Sequence, residues 1–178
     1  MTTENFRKAL PFILQYEGGF VHHPADPGGA TNRGVIQETY NTYRRRKGLP
    51  KQSVRNITMV EVEDIYYSMY WKTNKYDLDK LPFKLAQTVF DWHVNSGRGI
   101  TSLQQVVGLD GRDIDGVLGQ RTLNEIEYWS NKGKLTDLIN KYNDFRESKY
   151  RAWGRGAQSV FLKGWLNRLN AVRRITEV

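Results

Sequence analysis

The sequence predicts a mostly α-helical protein, because apolar residues recur at spacings of three and four along most of the chain and convincing runs of alternating apolar and polar residues are missing. We expect seven or eight helices and at most a small β-hairpin near residues 20–36. With 178 residues, 39% of them hydrophobic, the chain is long enough to bury one sizeable core. The strongest break, at residues 96–100, predicts two lobes, 1–96 and 97–178, packed as one compact unit.

The first predicted helix carries an apolar stripe and ends at a pair of glycines. The stripe consists of Phe6, Leu10, Ile13 and Leu14. Gly18 and Gly19 are a strong helix stop, and Pro11 should kink the helix because it lacks a backbone N–H. A loop rich in glycine and proline follows, up to about Gly34.

Two amphipathic helices come next. Thr58 and Glu61 form the pattern of a capping box, in which the Glu bonds back to the residue that begins the helix. The apolar positions of this helix continue through Val62, Ile65, Tyr66 and Met69. The second helix has Pro82 in its first turn, and we expect it to be the most buried. Its stripe consists of Leu85, Ala86, Val89, Phe90 and His93.

The C-terminal half alternates glycine-rich breaks with helices. Gly97-Arg98-Gly99 ends the buried helix, a short helix follows near residues 103–107, and residues 108–119 are rich in turns. Three further apolar stripes predict three more helices. They are Leu123, Ile126 and Trp129; then Leu135, Leu138, Ile139, Tyr142 and Phe145; and finally Phe161, Trp165, Leu169 and Val172.

The chain is basic, with 27 Lys and Arg against 19 Asp and Glu and a formal net charge of +8. Such a field favours polyanions, so nucleic acid, anionic membranes and the acidic polymers of a bacterial wall all remain open, and charge alone ranks nucleic acid first. The run Arg44-Arg45-Arg46-Lys47 is typical of a solvated helix face. It is also able to attract an anionic wall or outer-membrane lipid.

Cysteine is absent, which excludes disulfides, thiolate metal sites and cysteine nucleophiles. The apolar stretch at residues 9–14 contains Pro11 and is too short for a signal-peptide core or a membrane span. We therefore expect a protein made in the cytoplasm without a signal peptide. Another factor must then move it to any target outside.

Glu17 is the first candidate for chemistry. It lies four residues after Ile13 and seven after Leu10, so it falls on the apolar face at the C-terminal end of the first helix. Burial and the negative end of the helix dipole both disfavour the carboxylate, so we expect its pKa to be raised. A carboxylic acid that stays protonated near neutral pH can donate a proton to a leaving sugar oxygen.

Asp26 and Thr31 lie in the following loop. Exposed amides there can solvate the Asp26 carboxylate, so we expect it to stay charged. A neutral acid opposite an ionised carboxylate is the arrangement of glycoside hydrolysis, in which the second group activates water or stabilises the transition state. The Thr31 hydroxyl could position that water. Taken alone, a Glu before Gly-Gly often only ends a helix and Asp-Pro-Gly-Gly is a common turn, but the combination is more specific.

The same segment resembles the signature of glycoside hydrolase family 108, the N-acetylmuramidases of phage endolysins and bacterial relatives. The residues that carry the resemblance are Glu17-Gly-Gly-Phe, Pro24, Asp26, Gly28-Gly29, Thr31 and Gly34-Val35. Their Glu–Asp–Thr spacing is also similar to the catalytic triad of other phage lysozymes. The resemblance implies a lysozyme-like fold with a muramidase lobe at residues 1–96, Glu17 as the essential acid, Asp26 and Thr31 as its partners, and no metal or organic cofactor.

The resemblance continues to the end of the chain. Later family landmarks are similar at Tyr70-Trp71, Phe90-Asp91 and Val94-Asn95-Ser96-Gly97. A peptidoglycan-binding-like segment is similar at Leu103-Gln104, residues 115–119, Thr122 and residues 164–168. One departure is Gln120, where the family often has Pro. The resemblance thus implies a helical, peptidoglycan-binding-like lobe at residues 97–178.

Four further side chains are candidates for substrate contact. Phe20 and Tyr40 could stack on sugar rings, although core packing suits them equally well. His23 could bind a sugar or an acidic group, and Asn95 could hydrogen-bond an N-acetyl group or cap its helix. We expect no metal site, because the chain has three His and no Cys, and the acidic turn at residues 110–116 lacks the terminal acids of a calcium loop.

Together these features predict a monomeric bacteriophage endolysin that hydrolyses the β-1,4 bond between N-acetylmuramic acid and N-acetylglucosamine in bacterial peptidoglycan. We expect its partner to be the glycan strand and not nucleic acid, and we expect it to reach the periplasm after the membrane is permeabilised. A non-catalytic wall-binding module remains open. So does a lytic transglycosylase, which needs an acid but no water-activating carboxylate.

Overall fold

A computed structural model describes residues 1–22 and 29–177, and over these residues the protein has eight α-helices and one two-stranded antiparallel sheet. The predicted mostly α fold with a small hairpin is therefore confirmed. The chain divides into two compact units at Met69 and Tyr70. The predicted break at residues 96–100 falls inside the second unit, and the assignment of functions to lobes 1–96 and 97–178 stays a prediction.

The first unit contains three helices and the sheet. Its elements are α1 (Glu4–Leu14), β1 (Thr31–Asn32), β2 (Val35–Ile36), α2 (Gln37–Arg46) and α3 (Met59–Tyr66). The predicted stripe of α1 is largely buried, with Phe6, Leu10 and Ile13 at most 3% exposed. The core of this unit is completed from α3 by Val62, Ile65 and Tyr66.

Helix α1 ends earlier than the sequence predicts, at Leu14 and not at the glycine pair. The N–H groups of Tyr16 and Glu17 donate to the carbonyls of Ile13 and Leu14, each over 3.1 Å. These bonds span three residues, so the chain tightens into turns before Gly18 is reached. Glu17 therefore lies just beyond the helix, not on its last turn.

The hairpin is built on a two-residue turn. Asn32 pairs with Val35, and between them Arg33 and Gly34 have φ angles of 52° and 78°. Two positive φ angles define a type I′ turn, whose twist matches the right-handed twist of the strands. Glycine adopts this backbone freely, whereas Arg33 adopts it at a cost of about 1–2 kcal/mol.

The capping box of α3 is confirmed, since the Thr58 side chain accepts the N–H of Glu61 and the Glu61 side chain accepts the N–H of Thr58. Helix α2 has no apolar stripe, which is why the sequence showed only its basic end. Its one buried residue, Tyr40, donates its hydroxyl to Glu61 over 2.9 Å. Arg44 pairs with the same carboxylate over 2.9 Å, so a buried polar cluster joins α2 to α3.

The second unit contains five helices among the residues described. They are α4 (Phe83–Ser96), α5 (Gly99–Val106), α6 (Gln120–Asn131), α7 (Leu135–Trp153) and α8 (Ser159–Thr176). Pro82 precedes α4 at its N-cap, and Gly97 ends α4 with a φ of 72°. As predicted, α4 is deeply buried. Its buried residues are Leu85, Ala86, Thr88, Val89, Phe90, Asp91 and Trp92.

A buried ion cluster ties three of these helices together. Asp91 of α4 is 1% exposed, forms an ion pair with Arg146 of α7 over 2.7 Å and accepts a hydrogen bond from Arg168 of α8 over 2.8 Å. Each charge is buried with an opposite charge beside it, which is the condition under which buried ions are tolerated. Two landmarks of the family resemblance, Asp91 and Arg168, therefore serve packing.

The turn-rich segment after α5 is held by one side chain. The Gln104 amide donates to Asp115 over 2.9 Å and to the carbonyl of Val117 over 3.0 Å, and its oxygen accepts the N–H of Gly116 over 3.0 Å. This network holds Asp115, Gly116 and Val117 against α5, the helix that carries Gln104. None of the described helices is long and apolar enough to cross a membrane.

Candidate active site

Glu17 is half-buried and lies between α1 and the hairpin. Its N–H is bonded to Leu14, and the carbonyl of the next residue, Gly18, accepts the N–H of Arg33 over 3.0 Å. The backbone on both sides of Glu17 is therefore tied down, on one side to the helix and on the other to the hairpin turn.

The Glu17 carboxyl lies directly against Gly34. A Cβ atom added to Gly34 would stand 2.8 Å from Oε2 and 2.9 Å from Cδ of Glu17, and closer still to the hydroxyl oxygen of Tyr66. Real Cβ atoms do not approach other heavy atoms so closely, so only glycine leaves room for both groups. Gly34 thus brings an acid and a phenol to one point of the hairpin turn.

Tyr66 was predicted only as part of the apolar stripe of α3, and its place beside Glu17 was missed. Its hydroxyl donates to the carbonyl of Arg33 over 3.0 Å while its side chain is 2% exposed. A buried tyrosine needs a partner for its hydroxyl, which was the one signal that could have pointed to a polar neighbour. The bond also holds Arg33 in its strained backbone conformation.

Thr31 stands on the open face of the hairpin. Its N–H and carbonyl pair with those of Val21 over 2.8 and 2.7 Å. It also faces Ile36 across the sheet, and directly opposed residues project to the same side. Asn32 and Val35 are buried, whereas Val21 is 58% and Ile36 is 41% exposed. Thr31 therefore projects to the open side, next to Ile36.

The other face of the hairpin is anchored to residues 53–57. The buried Asn32 amide donates to the carbonyls of Val54 and Arg55 over 3.1 and 3.2 Å. Gln37 accepts the N–H of Val54 over 2.7 Å. These bonds fix the position of the hairpin in the first unit. They therefore also fix the position of Gly34 against Glu17.

The comparisons with known proteins bear on this site. A family model described as glycosyl hydrolase 108 matches residues 10–97, which include Glu17, Thr31, Gly34 and Tyr66. Among solved structures the chain is similar to SagA of Brucella abortus, with 37% identity, a TM-score of 0.74, and coverage of 96% of this chain and 92% of SagA. The chain belongs to the glycosyl hydrolase 108 family. No sequence among curated proteins matches it.

Family membership makes the chain a glycosyl hydrolase, so its substrate contains a glycosidic bond. Hydrolysis of such a bond uses carboxyl groups that donate a proton and stabilise or attack the sugar. In the matched segment, Glu17 is the acid that the hairpin holds in place. Asp26 and His23 lie outside the described residues, so their predicted roles stay predictions.

Phe20 is half-buried, and the guanidinium of Arg55 lies over its ring at 4.0 Å from the centroid. One face of the ring is therefore occupied by a cation. The predicted stacking of Phe20 on a sugar would use the other face, and it stays a prediction.

Tyr40 requires a correction. It was proposed as a surface on which a sugar ring could stack, but it is 0% exposed and its hydroxyl is engaged with Glu61. A ring without an open face cannot meet a sugar. Tyr40 therefore belongs to the core, as the alternative interpretation held. Its hydroxyl links α2 to Glu61 of the Thr58–Glu61 capping box.

Asn95 lies in the second unit, near the end of α4, and is exposed. Its side-chain oxygen accepts the Tyr150 hydroxyl over 2.5 Å, and that hydroxyl in turn accepts from Arg146 over 2.9 Å. Gly97 closes the helix end through its own N–H, so Asn95 is not needed as a cap. Contact with an N-acetyl group stays a prediction for this site.

Among residues 1–22 and 29–177, no group of three or more His, Asp and Glu side chains lies close enough to hold an ion. In the acidic turn, Asp113 pairs with Arg121 over 2.7 Å and Asp115 accepts from Gln104. Both acids are thus engaged in contacts within the fold.

Proposed function

We propose that this glycosyl hydrolase is a muramidase that cleaves the β-1,4 bond between N-acetylmuramic acid and N-acetylglucosamine in bacterial peptidoglycan, with Glu17 as the general acid. The observation that carries the proposal is the close approach of the Glu17 carboxyl to Gly34, beside the Tyr66 hydroxyl. Family membership supplies the reaction class, and the net charge of +8 suits the acidic polymers of a bacterial wall.

In this proposal Glu17 protonates the glycosidic oxygen as the bond breaks. This role requires that Glu17 hold its proton near neutral pH until the sugar oxygen takes it. Backbone hydrogen bonds from Glu17 to Leu14 and from Arg33 to Gly18 hold the backbone on both sides of the carboxyl. Holding a catalytic group in the geometry of the reaction lowers the entropic part of the barrier.

Thr31 and Asp26 take the second half of the reaction in this proposal. Asp26 activates water or stabilises the positive charge that develops on the sugar, and the Thr31 hydroxyl positions the water. Thr31 suits this role because both its N–H and its carbonyl are hydrogen-bonded to Val21, which fixes its backbone. Its side chain projects to the open face of the hairpin.

Product analysis on purified peptidoglycan tests the proposal. A muramidase yields fragments that end in reducing N-acetylmuramic acid, each heavier by one water than the 1,6-anhydro product of a transglycosylase. Mass spectrometry of the released fragments, before and after borohydride reduction, distinguishes the two ends. Anhydro ends would make the enzyme a lytic transglycosylase, and binding without release would make the chain a wall-binding module.

The cellular setting belongs to the same proposal. A phage-encoded enzyme that lyses its host would be made in the cytoplasm and act in the periplasm once the inner membrane is permeabilised. Expression with and without a co-expressed membrane-permeabilising protein would test it, because lysis is expected only with the second protein present.

A further inference from the structure

The basic run at residues 44–47 separates in the structure into residues with different environments. Arg44 is drawn into the buried cluster with Glu61. Arg45 is exposed, and its guanidinium donates to the Thr42 hydroxyl of the same helix over 3.5 Å. Arg46 and Lys47 line a cavity of about 760 Å³ within the first unit. Within this run, Arg46 and Lys47 are therefore the residues that line the cavity.

This cavity lies between α2 and the end of α3. Its lining combines apolar side chains, hydroxyls and charges, of which the principal members are Ile36, Thr39, Thr42, Arg46, Ile65 and Ser68. Its volume is in the range of sites that hold small molecules or segments of a polymer. A lining of apolar side chains and hydroxyls suits a ligand that has both apolar and polar groups.

The cavity begins at the hairpin formed by β1 and β2. Ile36, at its edge, pairs with Thr31 across the sheet, and opposed side chains lie about 5 Å apart on the same face. Gly34, against which Glu17 lies, is two residues before Ile36, which is at most about 7 Å even for an extended chain. A chain of sugars bound at Glu17 and Thr31 is therefore close enough to extend a substituent into the cavity.

At the C-terminal end of α2 the charged residues of the lining are Arg46, Lys47 and Asp64. Asp64 is engaged there by the Tyr43 hydroxyl over 2.9 Å and by Lys47 over 3.8 Å. Glu38 stands at the other end of α2, about 12 Å from Arg46 along the helix. Arg46 also lines the cavity, and its side chain forms no hydrogen bond or ion pair with another residue in the described part of the chain.

We propose that this cavity binds the peptide substituent of the glycan strand, with Arg46 receiving one of its carboxylates. The inference rests on the proposed function, because it assumes that the strand bound at Glu17 is peptidoglycan. Every N-acetylmuramic acid of peptidoglycan can carry a short peptide rich in carboxylates, and a guanidinium binds a carboxylate through two parallel hydrogen bonds. The cavity thus makes the enzyme selective for peptide-bearing strands.

The first experiment measures binding directly and does not depend on cleavage. A soluble disaccharide-tripeptide from peptidoglycan and the same disaccharide without its peptide are titrated calorimetrically into the wild type, R46A and R45A. The R45A variant is the matched control, since it removes an equal charge from the next residue outside the cavity. We expect R46A to weaken the peptide-bearing ligand about tenfold, as loss of one hydrogen-bonded charge does, and to leave the bare disaccharide unchanged.

The second experiment measures hydrolysis of intact peptidoglycan and of the same strands stripped of peptides by an amidase. We expect R46A to lose about tenfold in kcat/KM on intact strands only, with R45A like the wild type on both. Equal behaviour of R46A and R45A in both experiments would overturn the inference, and so would an equal loss on both substrates. Failure of the wild type to cleave either substrate would refute the proposed function instead, while the titration still decides the inference.

A membrane surface is the competing anionic partner. Vesicles containing phosphatidylglycerol, at low salt, are used as its probe. If R46A weakened vesicle binding and left binding of the disaccharide-tripeptide unchanged, Arg46 would serve lipid contact and the inference would be wrong. Equal vesicle binding by R46A and R45A, together with the expected loss of the peptide-bearing ligand, supports it.

Discussion

Gly34 determines the position of the Glu17 carboxyl. Its left-handed backbone closes the hairpin turn, and its missing side chain leaves room for the Glu17 carboxyl and the Tyr66 hydroxyl at the same point. A single hydrogen atom in place of a methyl group is therefore what allows an acid from the turn after α1 and a phenol from α3 to meet.

Replacement of Gly34 by Ala should displace Glu17 or Tyr66, because the new Cβ would stand 2.8 Å from the Glu17 Oε2. We expect kcat to fall on the order of 100-fold, as misplacement of a catalytic group does. Gly48→Ala is the matched control, since Gly48 also has a positive φ, of 69°, but open space around it. Steady-state kinetics that showed equal losses in both variants would mean that backbone strain, not the acid's position, is responsible.

The Glu61 carboxylate gives the first unit a pH dependence. Burial raises the pKa of Glu61, but hydrogen bonds from the Thr58 backbone and the Tyr40 side chain outweigh it, so that the pKa lies below its usual value. A carboxyl whose pKa is lowered by folding stabilises the fold above its unfolded pKa. This contribution is lost as the pH falls through the lower, folded value.

The free energy of unfolding should therefore decrease on acidification below about pH 4.5, and it should decrease less in Glu61→Gln, which has no proton to gain. Urea unfolding between pH 7 and pH 3 measures both. Parallel pH curves for the wild type and the variant would contradict this assignment.

Among the elements, the hairpin matters most for the proposed site, because it carries Thr31 and Gly34. Its position depends on Asn32, whose amide donates to two carbonyls of the following segment. Asn32→Asp replaces these donors with an acceptor. We expect a loss of about 1–3 kcal/mol in the free energy of unfolding, because two carbonyls would face an unpaired oxygen, together with lower activity.

Asn41→Asp is the control for that change. The Asn41 oxygen accepts from Gln37 over 2.9 Å, and an aspartate keeps this acceptor. Its stability and activity should stay near those of the wild type. If Asn32→Asp unfolded at the same urea concentration as the wild type, the amide would not be what anchors the hairpin.

Elements with a clear apolar period could be predicted from the sequence, and polar ones could not. The stripe of α4, the capping box of α3 and a hairpin near residues 20–36 all follow from local pattern. Helix α2 was not recognised because it buries only Tyr40 and holds its place through hydrogen bonds. Such bonds depend on partners about 20 residues away, and no local period reports them.

For the molecule as a whole, the sequence likewise predicts single residues of the site but not which residues lie next to them. Glu17 could be predicted from its segment, whereas its neighbour Tyr66 is brought to it by packing of α3, 49 residues later. The distant pairing of Asp91 with Arg168 was likewise invisible, although both were recognised as landmarks. Sequence pattern identifies the chemical groups, and tertiary packing determines which of them meet.

The central claim is that one half-buried acid, Glu17, carries hydrolysis of the glycan. The most direct measurement is the rate at which Glu17→Gln clears a suspension of purified peptidoglycan, with Glu63→Gln as a control in the same unit and thermal melting to show that both variants fold. We expect a loss of at least about 100-fold for Glu17→Gln and none for the control. A folded Glu17→Gln protein that clears the suspension at nearly the wild-type rate would contradict the account.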